Sequence, residues 1–133
     1  MTAQDSEEET MTFQNDWVMR QIEMMTRFIA KVLLKKETML YEITPGTELN
    51  ETDLLYRRLH GSLAQGQIGK AEDLLFDSLN PADPDGLALA VDFYHTLNQW
   101  SDRELEAADF SREEIAEGLQ AVLKTFGIEI PVA

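Results

Sequence analysis

The chain has 133 residues, 44% of them apolar, no cysteine and a formal charge of −14. That is enough apolar material for one modest core, and the lack of cysteine excludes disulfides, thiolate metal sites and cysteine nucleophiles while fitting a reducing, cytoplasmic setting. Residues 1–15 carry −4, residues 16–37 carry +2 and residues 38–133 carry −12; this field repels nucleic-acid phosphates and anionic lipid everywhere except around residues 16–37, so no nucleic-acid partner is expected and membrane association is disfavoured.

Residues 1–12 are acidic, lack apolar periodicity and are expected to be disordered, leaving residues 13–133 as a single helical domain. The acidic opening is unlike a signal peptide, and no run approaches the roughly 20 apolar residues of a membrane span. Asn15 or Asp16 can cap a first helix over about residues 16–37. In it Val18, Ile22, Met25, Ile29, Val32 and Leu33 recur at three- and four-residue steps, while Arg20, Glu23, Arg27, Lys31 and Lys35 share the opposite side. The stripe is open to three readings. It completes the core of the same chain, or it forms a homodimer through Val18, Ile22, Met25, Ile29 and Val32 at coiled-coil-like spacing. The third reading lays it on a membrane surface with Trp17 and Phe28 at the boundary, which the acidic remainder opposes.

In the connector, Met39, Leu40, Tyr41 and Ile43 either extend the first helix or pack as an apolar tether, before Thr44-Pro45-Gly46-Thr47 breaks it. A first helical hairpin is expected over about residues 53–79, capped by Asn50, Thr52 or Asp53 and reversed at Gly66, where glycine turns at little steric cost. Asn80 to Gly86, with two prolines, reads as a loop. A second hairpin follows over about residues 87–126. Its Ser101/Glu104 and Ser111/Glu114 pairs have capping-box spacing, marking a short helix at 102–108 and a longer one at 112–125 that Gly127 ends. Residues 128–133 form an extended tail whose isoleucines can dock on the core. No segment reads as a strand, so the fold class is all-α.

Leu55-Tyr56-Arg57-Arg58-Leu59-His60 aligns with Phe93-Tyr94-His95-Thr96-Leu97-Asn98 at a spacing of 38, and Ala71-Glu72-Asp73-Leu74 aligns with Ala116-Glu117-Gly118-Leu119 at 45. The difference equals the extent of the short helix, which therefore reads as an insertion in the second of two stacked hairpins. With Leu55 at the large first-helix position, Gly66 at the turn, Ala71 at the small second-helix position and Pro84 near the closing proline, residues 54–84 resemble a tetratricopeptide repeat. Leu59 stands where that family prefers a small residue. The stretches NDWVMRQIEMMTRFIAKVLL, LLYRRL and DFSREEIAEGL are also similar to a family of short bacterial proteins of unknown function, which implies a fold and no activity.

The tetratricopeptide resemblance implies a concave groove lined by Asp53, Tyr56, Arg57 and His60 from the first unit and by Tyr94, His95 and Asn98 from the second. Such a set can hold a carboxylate through charge-assisted hydrogen bonds; the plainer alternative is that the tyrosines cap the core and the polar groups face water. Neither histidine has a His or Glu three or four residues away, Glu113, Glu114 and Glu117 are ordinary solvated acids, and no Gly-x-Ser-x-Gly elbow exists. No metal or cofactor is expected. The expected function is a non-catalytic scaffold that binds a peptide or protein segment; a small metal-dependent or hydrolytic enzyme using His60, His95 and nearby carboxylates is the alternative.

Overall fold

Side chains that satisfy the free amides of helix starts set most of the element boundaries. The computed structural model describes residues 3–35 and 41–129, with side chains described for residues 15–35 and 41–129. Within them α1 spans Ala3–Phe28 and continues into a π-helical turn, Ile29–Leu33. Then come α2 (Glu51–Ala64), α3 (Ile68–Ser78), α4 (Pro84–Asn98), α5 (Asp102–Ala107) and α6 (Arg112–Thr125). Among the described residues there is no strand, and the chain is all-helical.

Asn50 and Asp53 form a reciprocal capping box at the start of α2, and Ser101 and Glu104 form another at α5. Ser111 accepts from the Glu114 amide at α6, while the Glu114 carboxylate accepts a hydrogen bond from the Ser111 hydroxyl and none from the cap's backbone amide. Gly66 and Gly127 adopt the left-handed conformation that the reversal after α2 and the stop of α6 require. Asp83 caps α4 and Pro84 occupies its first turn. The expected loop is therefore shorter than the two prolines suggested, because proline at that position sacrifices an amide with no intrahelical partner.

A continuous apolar cluster draws on every helix, and α4 is its centre, with residues 86–94 wholly buried. It packs against α1, α2 and α6, while α3 pairs with α2 and α1 also lies on α6. Ala71 is buried as its small size requires. In the second unit the closest approach falls on Gly118 and not on the aligned Ala116: a Cβ at 118 would collide with the Tyr94 ring.

The first helix departs from expectation at both ends. It begins at Ala3, so Asn15 and Asp16 lie inside it and neither caps it. No proline or glycine precedes Pro45, and acids in the first turns suit the positive end of a helix dipole. The stretch expected to be disordered overlaps this helix from Ala3 onward, and residues 1 and 2 lie outside the described residues. At the other end the Leu34 amide bonds the Ile29 carbonyl at 3.0 Å, closing a widened turn. Val18, Ile22 and Ile29 are buried in the chain's own core with Met25 packed beside them, but Val32 is exposed. Three of the five residues of the expected dimer stripe are thus buried within the molecule. Val32 leaves it because a π turn advances each residue less around the axis than an α turn does. Tyr41 is buried and Ile43 packs on the cluster as the tether reading expected; Met39 and Leu40 lie outside the described residues. Ile128 packs on the core, while residues 130–133 of the expected tail are also outside them.

Two substitutions test this packing. Gly118→Ala should cost about 1–3 kcal/mol by overpacking against Tyr94, and chemical denaturation measures it directly. Arg112→Ala, which strands the Asn98 carbonyl at the end of α4 and the Trp100 carbonyl beyond it, should cost about 1–3 kcal/mol in the same assay.

Candidate functional site

The capping box that starts α2 also builds a polar cluster. One Asp53 carboxylate oxygen accepts from the Asn50 amide at 3.0 Å, and the other accepts the Tyr41 hydroxyl at 2.5 Å. Tyr41 comes from the connector and is buried; its ring packs on Tyr56 at 5.2 Å, and Tyr56 packs on His60, one turn further along α2, at 4.3 Å. His60 Nε2 lies 3.6 Å from an Asp92 carboxylate oxygen on α4. Tyr41, Asp53, Tyr56, His60 and Asp92 therefore form one chain of contacts linking the connector, α2 and α4.

The charges follow from this geometry. The Tyr41 hydroxyl bond, then the Asn50 amide and the nearby Arg57 guanidinium, hold the Asp53 carboxyl below its ordinary range against some loss of solvation. Burial first, then the bond to Asp53 and the negative charges of Asp53, Asp85 and Asp83, push the Tyr41 hydroxyl well above its usual value. Burial and the Asp92 charge raise Tyr56. Tyr56 and His60 are half-buried and Arg57 is exposed, so an imidazole, a guanidinium and a phenol are presented beside two carboxylates. Pairing with Asp92 orients the His60 imidazole, and among the described residues no group of three His, Asp or Glu side chains could hold a metal ion.

The other half of the expected groove is not a groove. Tyr94 and Asn98 are fully buried. The Tyr94 ring lies against Gly118 and its hydroxyl donates to Glu72 on α3 at 2.5 Å. Burial raises the Glu72 carboxyl, and the Tyr94 bond partly offsets this. Asn98 donates to the Met19 carbonyl of α1 at 3.1 Å and accepts from Arg112 at 3.2 Å. The correction has a simple cause. Asp92 and Tyr94 are two positions apart on α4, and side chains so spaced point to different sides of a helix, so only Asp92 faces α2. His95 lies one turn beyond Asp92, half-buried, with its Nδ1 buried and without a hydrogen-bond partner. Sequence reading missed Tyr41 and Asp92 as members of the cluster. Tyr41 was visible only as part of an apolar tether, and Asp92 only as one acid among many.

The chain belongs to the family of unknown function DUF6483, whose model matches residues 12–127. No curated protein and no solved structure matches it.

The lowered Asp53 carboxyl makes a pH-dependent prediction. A depressed native value contributes stability that is present above the ordinary aspartate value of 3.8 and is lost as pH falls through the native one. Asp53→Asn should therefore melt below wild type at neutral pH, and the gap should close as the pH is taken below 3.8. Thermal melts across that range check both the sign and the window.

Proposed function

We propose that this protein is a cytoplasmic, non-catalytic interaction module that holds a peptide or protein segment against the α2–α4 face. In this reading α2–α3 and α4–α6 are tetratricopeptide-like hairpins, the second carrying α5 as an insertion, and α2 and α4 are the first helices that share a binding side. The observation that carries it is the half-exposed Tyr56–His60 contact on α2, backed by the buried Asp92 of α4, with exposed Arg57 one residue from Tyr56. A guanidinium and an imidazole set among aromatic rings recognise an acidic side chain or a terminal carboxylate, and the neighbouring phenol supplies a further hydrogen bond. Tyr41 and Asp53 belong to the support beneath this face, since both are buried.

Arg57→Glu/His60→Ala removes the two donors that project from the face and leaves the buried Tyr41–Asp53 bond in place. Immobilised wild type should recover a set of proteins that this variant loses by about tenfold or more, as expected when central polar anchors are removed. Equal recovery by two proteins with the same melting temperature overturns the assignment of this face.

A further inference from the structure

Exposed large apolar side chains gather on one element. Trp17 (55% exposed), Met24 (60%), Phe28 and, in the π turn, Val32 (55%) all belong to the first helix and its extension. At 3.6 residues per turn, Trp17, Met24 and Phe28 fall within roughly 40° of one another around α1, and the widened turn brings Val32 toward the same side. This stripe lies apart from the buried Val18–Ile22–Ile29 stripe and is covered by nothing among the described residues. Along its flank run Asp16, Arg20, Glu23 and Arg27, alternating in sign, and none pairs with another: the ion pairs among the described residues are His60–Asp92 and Arg112–Asp102.

We propose that this stripe is a homodimer interface in which α1 packs antiparallel on α1 of a second copy about a two-fold axis near Gln21 and Ile22. The charge order selects the occupant. In an antiparallel pair the order Asp16, Arg20, Glu23, Arg27 meets its own reverse, so Asp16 faces the second copy's Arg27 and Arg20 faces its Glu23, each contact made twice by symmetry. The same register sets Trp17 close to the second copy's Phe28 and places Met24 near the axis. In a parallel pair this flank would face the other flank of the second copy's helix and the four charges would not meet one another. The arrangement also opposes the two helix dipoles favourably. It uses none of the residues assigned to the α2–α4 face.

Sedimentation equilibrium of the full chain across a range of concentrations should show a monomer–dimer equilibrium that weakens with added salt. Trp17→Ser/Met24→Ser should weaken it by at least about thirtyfold, because truncating central aromatic anchors removes most of an interface's affinity. Both positions are exposed in the monomer, so folding should survive, and circular dichroism checks that. Because the chain has no cysteine, Met24→Cys provides a geometric readout: a short bismaleimide should cross-link it efficiently, whereas Asp77→Cys, exposed on α3, should remain uncross-linked. Arg27→Glu and Asp16→Arg should each weaken the dimer, and the double exchange should restore it. A monomer at every concentration overturns the proposal, as does a dimer indifferent to Trp17→Ser/Met24→Ser. Binding of the monomer to vesicles rich in anionic lipid, without self-association, would also overturn it and assign the stripe to a membrane surface.

Discussion

Arg112 stands at the first position of α6, where a cation opposes the helix dipole, yet its guanidinium is buried and every N–H is used. Nη1 donates to the Asn98 carbonyl at 2.8 Å and to the Asn98 side chain at 3.2 Å. Nη2 donates to the Trp100 carbonyl at 2.6 Å and, with Nε, to Asp102. It satisfies the Asn98 carbonyl that α4 leaves open at its end and the Trp100 carbonyl of the turn beyond, so one side chain closes α4, orients the turn into α5 and seats α6. Asn98, held by Arg112, passes the constraint to α1 through the Met19 carbonyl. The half-exposed Asp102 partner contributes less than the carbonyls do, because its charge remains in contact with water.

With that end of α4 held, its remaining surface is divided by azimuth. Tyr94 turns toward α3 and α6, where Gly118 makes room for its ring and Glu72 accepts a hydrogen bond from its hydroxyl. Asp92 turns toward α2 and meets His60. The two tyrosines that the repeat alignment treats as equivalent thus do different work. Tyr94 is a structural strut between helices, whereas Tyr56 stays near the surface between a buried tyrosine and a half-exposed imidazole. The same asymmetry appears in the carboxyls: hydrogen bonds depress Asp53, and burial raises Glu72.

Features carried by residues a few positions apart were legible in the sequence. The Ser101 and Ser111 caps, the reversal at Gly66 and the stop at Gly127 all depend on local chemistry and stand where the spacing placed them, and Asn50 is one of the three caps the sequence offered for α2. What was not legible depends on contacts between distant positions. Nothing near Arg112 says that it will be buried, although a base opening a helix otherwise rich in acids is a local inconsistency of the kind that marks a tertiary role. Gly118 looks like an ordinary weak point in a helix until Tyr94 is placed against it. Asn98 reaches a carbonyl 79 residues away, and no periodicity predicts that. The azimuth that separates Asp92 from Tyr94 could have been computed from helical spacing, but the side of α4 that α2 would choose could not.

The π turn joins these two levels. A regular α-helix through Ile29–Leu33 would keep Val32 in register with Val18, Ile22 and Ile29 and bury it in the core, so the widened turn gives up apolar burial on the inner stripe. Scattered apolar residues on a surface need no explanation, but a row of them on one helix does. The turn lengthens that outer row, adding Val32 to Trp17, Met24 and Phe28, while Ile29 and Ala30 remain buried and keep the helix seated on its own chain. The distortion thus weakens one stripe and extends another, next to the only net-basic block of a chain at −14. Burial on the inner stripe holds α1 in place without drawing on the outer stripe, which stays exposed.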